Sequence, residues 1–271
     1  MKKLISSYLL TFLSFSAFAD TLLQDKMQIH GFASQGFIQT TDNNFFGDSE
    51  NGSFDFTELG INASFQLSPK IRLASQLISR RAGEMYNGSL WLDYALADIN
   101  LVQGDNFQLG AYLGRIKNPL GLYNDTRDVA HTRQGVFTPQ TIYFDKVRNI
   151  SMSSDGIQFY GDYQFENGTL LVQGGIGFPI PDKNIEIVYM GQDWEGSLDN
   201  NDLALIGRIM YEYNGGEWIF ALSGASLELD FDATLSDSMI PLIGFNDGVL
   251  AIDYTIVSLQ HNAEKWQFGK A

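Results

Sequence analysis

A segment near the middle of the chain concentrates basic side chains in an otherwise acidic protein. The chain has 17 Lys and Arg residues against 32 Asp and Glu, a formal net charge of -15 at pH 7. Between positions 115 and 148 the balance is reversed, because only three carboxylates accompany six basic residues: Arg115, Lys117, Arg127, Arg133, Lys146 and Arg148. Basic groups gathered at a narrow constriction attract anions. They could equally pair with carboxylates and fix the segment in place, and the sequence favours neither interpretation.

The residues that could set the charge of such a constriction include two arginines outside the segment. Arg72 and Arg80 share the polar face of a predicted strand and would extend the basic group. The candidate constriction residues are Arg72, Arg80, Lys117, Asp125, Arg127, Asp128, Arg133, Tyr143 and Arg148. If these basic residues instead pin the segment, the expected partners are Asp125, Asp128, Glu58, Asp93 and Asp162.

Catalysis and metal chemistry are not expected from this chain. It has three histidines, His30, His131 and His261. His30 has no flanking Ser motif, His131 lies in the long connection and His261 lies at a tight turn, so no catalytic triad is indicated. It has no cysteine, which removes the thiolate ligands of structural zinc sites. The strong negative charge argues against a nucleic-acid partner. We therefore predict no enzymatic activity and no cofactor.

The elements that must position the candidate residues are β-strands. The segment 54–67 alternates strictly: Leu59, Ile61 and Phe65 fall on one face, and Glu58 and Asn62 fall on the other. Successive side chains of a strand point to opposite faces, so this segment is apolar on one side and polar on the other. The same reasoning predicts ten strands, at 27–40, 54–67, 71–80, 89–101, 107–114, 156–165, 169–178, 202–213, 217–229 and 249–261.

Two of these strands carry face assignments that the structure can test directly. In the fourth strand, strict alternation groups four apolar side chains on one face: Leu90, Leu92, Tyr94 and Leu96. In the tenth strand it groups four others: Leu250, Ile252, Tyr254 and Ile256. In a membrane barrel such faces are expected to contact lipid.

The connections between the strands alternate in length. Short turns follow residues 67, 103, 165, 213 and 261, whereas long polar connections are predicted at 41–53, 81–88, 116–155, 179–201 and 230–248. One short-turn end and one long-loop end are typical of a transmembrane β-barrel. The segment 116–155 is too long and too apolar for a free surface loop, so we expect it to fold into the barrel. Tyr143 and Phe144 should then be buried, and Arg127 should approach the wall.

The two ends of the chain add an expectation about processing and length. Residues 1–19 combine Lys2 and Lys3, a short apolar stretch and an Ala-Phe-Ala site, which predicts a removed secretory signal. An eleventh strand is predicted to begin at Lys265 and to stop at Ala271. Because a single-chain bacterial barrel needs an even number of strands, we expect 20–271 to be the N-terminal part of a longer barrel.

The stretch from Gly114 to Gly156 resembles a known family. The run GRIKNPLGLYNDTRDV at its start, PQTIY and SDGI near its end, and HGFASQGF at 30–37 are similar to bacterial outer-membrane porin-like proteins related to phosphate-selective and dicarboxylate porins. The resemblance implies a trimeric barrel of about sixteen strands with a long third loop folded into the pore. It also implies a location in the outer membrane of a Gram-negative cell.

These observations together predict a passive outer-membrane channel for small hydrophilic solutes, with a preference for anions. Its expected partners are outer-membrane lipid, lipopolysaccharide, the permeating solutes and, from the resemblance, two further copies of the chain. Two alternatives remain open: a non-conducting surface barrel that acts as an adhesin or phage receptor, and a secreted β-sandwich that binds a ligand.

Overall fold

The computed structural model of the protein describes residues 26–133, 135–234, 237 and 247–262. The predicted signal segment 1–19 and the predicted last strand at 265–271 lie outside these residues. Within the described part, no helix is both long enough and apolar enough to cross a membrane.

Antiparallel strands form most of the described chain. Their bounds are β1 (Met27–Ile38), β2 (Ser53–Ser68), β3 (Ile71–Ala82), β4 (Tyr86–Gln103), β5 (Phe107–Lys117), β6 (Ser153–Phe165), β7 (Gly168–Pro179), β8 (Ser197–Asp199), β9 (Ala204–Tyr213), β10 (Trp218–Asp232) and β11 (Asp247–His261). Each pairs with its neighbour in the chain, except that β7 pairs with β9 and the three-residue β8 pairs with β10. The described residues thus form one sheet rather than the two facing sheets of a sandwich, and its edges are β1 and β11.

The prediction of an all-β antiparallel fold is confirmed, and each of the ten predicted strands has a counterpart. The predicted long connection 81–88 is wrong, because β3 continues to Ala82 and β4 already begins at Tyr86. Pairing of these extended ends, for example Arg81 with Asn87, leaves a turn of three residues. The connections after β1, β5, β7 and β10 are long, as expected.

One face of the sheet is apolar and exposed. Phe159 is 60 % exposed, and the same face carries other large side chains: Leu59, Ile61, Leu73, Leu90, Leu109, Ile157, Val172, Ile176, Leu205, Ile209, Phe220 and Leu222. We call this the outward face, because the long connection after β5 lies against the other one. A surface that leaves so many large apolar side chains uncovered is not expected in water.

The face assignment of the fourth strand is wrong in its second half. The ladder between β3 and β4 is irregular after Gln76, where Gln76 pairs with Tyr94 but Leu77 pairs with Leu92. A bulge adds one residue to a strand and reverses the alternation beyond it. Leu92 therefore faces outward, Asp93 is buried inside, and Tyr94 shares the inward side with Gln76.

The face assignment of the tenth predicted strand, β11, is also wrong. Ala225 pairs with Tyr254 and Leu227 pairs with Ile252, so the side chains of Tyr254 and Ile252 lie on the inward side. The outward side of β11 carries Asp253 and the exposed Val257. The inward side is apolar here because it covers a core instead of water.

That core fills the interior next to β9, β10 and β11. Two helices contribute to it: α1 (Arg148–Met152) and α2 (Lys183–Met190), the latter capped by the Asp182 carboxylate, which accepts from the backbone N–H of Ile185. Its buried members are Leu120, Val147, Ile150, Ile185, Leu198, Ala204, Ile206, Ala225, Leu227 and Leu229. The interior on this side is dry and packed.

Candidate functional site

The connection between β5 and β6, residues 118–152, lies against the inward face of the sheet, and we call it the inward segment. Its Gly121 backbone N–H donates to Ser223 Oγ on β10 at 2.7 Å. The Tyr123 hydroxyl donates to Gln260 Oε1 on β11 at 2.7 Å. At the other side of the sheet, Arg133 pairs with Glu58 on β2. One segment can reach β2 and β11 together only because the sheet curves around it.

A buried ion-pair network joins the inward segment to β2 and β3. Arg80 Nε lies 3.2 Å from Glu58 Oε1, and Arg80 Nη2 lies 2.8 Å from Asp145 Oδ2. Arg133 shares Glu58, and Arg148 Nη1 lies 3.7 Å from Asp145 Oδ1. We call these five residues the arginine latch. Register places Glu58 directly opposite Arg80 on neighbouring strands, so the sheet itself presents the first pair.

A second buried centre surrounds Lys117 at the end of β5. Its Nζ lies 2.5 Å from Asp93 Oδ2 and 3.1 Å from Asp128 Oδ1. The Gln76 amide donates to both carboxylates, at 2.7 Å to Asp93. Asp93 can take part because the bulge in β4 turns it inward. This centre fastens the beginning of the inward segment to β3 and β4.

A third contact anchors the inward segment to β9. Arg208 Nη2 lies 2.6 Å from Asp125 Oδ2, and its Nη1 donates to the Gly121 carbonyl at 2.9 Å. Gln173 on β7 accepts from the same guanidinium at 2.6 Å. No pattern in the sequence connects Arg208 with the segment, which lies more than eighty residues earlier in the chain.

Arg127 differs from the other buried basic residues, because no carboxylate oxygen of the described chain lies within ion-pair distance of it. It is 1 % exposed and donates to the Arg148 carbonyl at 3.0 Å and to Ser151 Oγ at 2.8 Å. Both partners belong to the inward segment and not to the wall. Burial, together with the cation of Arg148, lowers the pKa of Arg127 to about 9, so its guanidinium is still charged at neutral pH.

The buried cations lower the pKa values of two carboxylates in the segment. Burial alone would raise the pKa of Asp145, but Arg80, Arg148 and Arg127 outweigh burial and hold that pKa below its usual value. The pKa of Asp128 is lowered in the same way, because Lys117 and Arg148 outweigh its burial. Both carboxylates are therefore ionised at neutral pH, and the network is held by charge.

The structure brings most of the predicted site residues together beneath the segment. Arg80, Arg127, Asp128 and Arg148 are buried, and the side chain of Lys117 is 12 % exposed. Arg72 does not belong to this group, because it lies half exposed at the short-turn end and pairs with Asp98 at 2.9 Å.

Two aromatic residues of the inward segment have different surroundings. Tyr143 is 4 % exposed, and its hydroxyl accepts from the Tyr123 backbone N–H at 2.9 Å. The expectation that Phe144 is buried is wrong, since it is 38 % exposed. Among the described residues, the uncovered side of the segment is largely uncharged, with Val136, Ile142, Phe144 and several threonine hydroxyls.

A polar space opens at the short-turn end of the inward face, and we call it the vestibule. It has a volume of about 240 Å³. Its lining consists of Gln66, Pro69, Lys70, Arg72, Asp98, Asn100, Gln108 and Tyr160. The Tyr160 hydroxyl donates to Asp98 Oδ1 at 2.7 Å, so Asp98 holds both Tyr160 and Arg72. Its mixed, half-exposed charges are those of a surface in contact with water.

Comparisons with known proteins give only a weak structural similarity. No protein-family model matches the chain, and no curated protein shows significant similarity to it. Among solved structures, it is similar to OmpF of Salmonella typhi in complex with daunomycin, with 12 % sequence identity over 90 % of this chain and 82 % of that one. The TM-score of that match is 0.35, which does not establish a shared arrangement of the strands.

Proposed function

We propose that the protein is a passive outer-membrane channel for small hydrophilic solutes. The proposal rests first on the two faces of the sheet. The outward face is apolar and exposed along β2 to β9, as lipid contact requires, whereas the inward face of β2 to β4 carries Glu58, Gln76, Arg72 and Asp98. Apolar-out and polar-in alternation is the arrangement of a membrane barrel with a wet interior.

The observation that carries the channel proposal is the vestibule at the short-turn end of the inward face. It offers a water-accessible entrance at the end with short turns, which is the periplasmic end in bacterial barrels. The inward segment contacts β2, β10 and β11, and in a closed barrel it would narrow the interior beyond the vestibule. A polar entrance that leads to a constriction is what a diffusion channel needs to admit small polar solutes and to hold back large ones.

A preference for anions remains part of the proposal, but the basic residues would no longer act by lining the pore. The basic residues are buried under the segment and do not line its uncovered side. Five basic residues whose side chains are at most 12 % exposed accompany four carboxylates: Arg80, Lys117, Arg127, Arg133 and Arg148 against Glu58, Asp93, Asp128 and Asp145. The single excess cation, Arg127, would act on permeating ions through the weakly screened interior and not by direct contact.

One observation favours a non-conducting barrel instead. The core beside β9 to β11 fills that side of the interior with Leu120, Ile185, Leu227 and their neighbours. If the whole interior were closed in this way, the long connections would be the functional surface, as in an adhesin or phage receptor. The homotrimer and the contact with lipopolysaccharide that the porin resemblance implies are compatible with either function.

The test uses the natural absence of cysteine. In the full-length protein, Gln108→Cys places one thiol in the vestibule, and Ser75→Cys places one on the outward side of the neighbouring sheet region. After reconstitution into planar bilayers, a bulky charged thiol reagent should reduce the conductance of Gln108→Cys only. A protein that inserts but never conducts would support the surface-barrel function. Conductance that is equally insensitive at both positions would remove the vestibule from the path.

A further inference from the structure

A groove on the outward face crosses β5, β6 and β7 near their short-turn ends. Its volume is about 510 Å³, within the roughly 300–1,000 Å³ of small-molecule sites. The outward side chains that line it are all uncharged: Phe107, Leu109, Phe159, Tyr163, Leu170 and Val172. The other two side chains of the lining, Tyr160 and Asp162, belong to the inward side of β6.

Two glycines form the depression. Register places Gly161 opposite Leu109 and Val172, and Gly174 opposite Phe159, so both lie on the floor of the groove. A Cβ at Gly161 would meet Leu109 Cδ2 at 2.6 Å, which shows how closely Leu109 leans over this position. A Cβ at Gly174 would meet no atom within 4 Å, so a side chain there would enter the groove without a clash.

The backbone N–H and C=O groups around the groove are already paired between neighbouring strands. The ladder from Phe107–Tyr163 to Lys117–Ser153 and the ladder from Phe165–Gly168 to Ser154–Pro179 both run without a bulge. In the middle of a sheet, paired N–H and C=O groups leave no free donor or acceptor. The occupant must therefore need no polar partner along its length, which describes a hydrocarbon chain better than a peptide.

We propose that this groove holds one acyl chain of a phospholipid from the periplasmic leaflet. The inference rests on the proposed location in the outer membrane. The short turns at 104–106 and 166–167 place the groove in the half of the membrane next to the periplasm. Phe107 and Tyr163 pair at the short-turn end of the groove, at the level where aromatic residues meet lipid headgroups. The groove is continuous with the apolar outward face, so a chain can enter from the surrounding lipid.

Native mass spectrometry of the full-length protein, after incubation with phosphatidylethanolamine in a mild detergent, tests the proposal. The unmodified protein should retain one phospholipid, and Gly174→Phe should retain it roughly tenfold less, because displacing even two methylene groups costs about that factor in affinity. Ile176→Phe is the matched control, since it adds a ring two residues along the same strand but outside the groove. It should retain lipid like the unmodified protein.

Flotation of the three proteins with phospholipid vesicles separates the two proposals. All three should insert; failure of the unmodified protein to insert would contradict the membrane function itself. Insertion with equal lipid retention in all three would overturn the groove assignment. If Gly174→Phe instead dissociates an oligomer while lipid retention stays the same, the groove is a contact between copies of the chain and the assignment is equally wrong.

Discussion

Glu58 is the residue on which the arginine latch depends, because it is the shared partner of Arg80 and Arg133. Removing one member of a buried ion pair leaves an uncompensated charge and costs about 3–5 kcal/mol. Glu58→Gln should therefore lower the free energy of unfolding by about that amount and should loosen the inward segment. Urea unfolding measures the first effect, and protease cleavage within 132–142 reports the second.

The matched control for Glu58 is Asp55 on the same strand. It pairs with Arg81 at 2.8 Å, but both side chains are substantially exposed. Exposed pairs contribute only about 0–1 kcal/mol. Asp55→Asn should leave stability and cleavage nearly unchanged. If the two variants behave alike, the buried network does not hold the segment.

Arg127 gives a different expectation, because its charge has no carboxylate partner among the described residues. Arg127→Met should leave the fold in place, since the substitution removes a buried charge and keeps an apolar side chain of similar length. It should also move the zero-current potential of the channel, measured in a salt gradient, towards cation preference. An unchanged potential would show that the excess buried cation does not reach the permeating ions.

At the scale of the element, Gly121 forms a turn near the beginning of the inward segment, and this turn has a positive φ. Its φ of +59° is one that residues with a Cβ adopt at a cost of about 1–2 kcal/mol, and a Cβ there would meet the Tyr143 hydroxyl at 2.2 Å. Gly121→Ala should therefore displace Tyr143 and weaken the contacts to Ser223 and Arg208.

Gly135 provides the comparison for Gly121 within the same segment. A Cβ at Gly135 would approach only the Phe137 carbonyl, at 3.4 Å, and its φ is not positive. Gly135→Ala should be tolerated, whereas Gly121→Ala should show faster protease cleavage between 122 and 142. Equal cleavage of the two variants would contradict the role of the turn.

The strands could be predicted from the sequence because each follows a simple period of two. That period fails where the backbone adds a residue or where both faces carry apolar side chains. The bulge at Asp93 and Tyr94 leaves no mark in composition, so the reversal in β4 was not predictable. In β11, Val257 lies outside and Ile256 inside, and only the pairing with β10 decides between the two faces.

The site could be predicted in part. The excess of basic residues in 115–148 indicated where charges would gather, and Glu58, Asp93 and Asp128 were among the expected partners. The roles of Asp145 and Arg208 could not be predicted, since they depend on how the sheet curves around the segment. Whether a basic residue contacts solute or protein depends on its burial. Burial is set by the three-dimensional fold and cannot be read from the local sequence.

At the scale of the whole molecule, the outward face is expected to contact lipid, so a charged side chain introduced there should be unfavourable. Ile157 is exposed on that face at the centre of the sheet. Lysine near the middle of a membrane costs about 2–4 kcal/mol on the lipid side of a barrel. Ile157→Lys should therefore reduce insertion into vesicles, as measured by flotation, and Gln108→Lys in the polar vestibule should not. Normal insertion of both would remove the lipid assignment.

The reach of the inward segment has a consequence for the order in which the protein assembles. Its contacts join residues that are 75, 102 and 137 positions apart along the chain. Hairpins such as β2–β3 can form from neighbouring residues, but the segment has no complete binding surface until β10 and β11 are in place. Contacts made after the rate-limiting step alter the unfolding rate and leave the folding rate unchanged. We expect the segment to dock after the rate-limiting step of folding. Substitutions that weaken its contacts should therefore shorten the lifetime of the assembled protein without slowing its assembly.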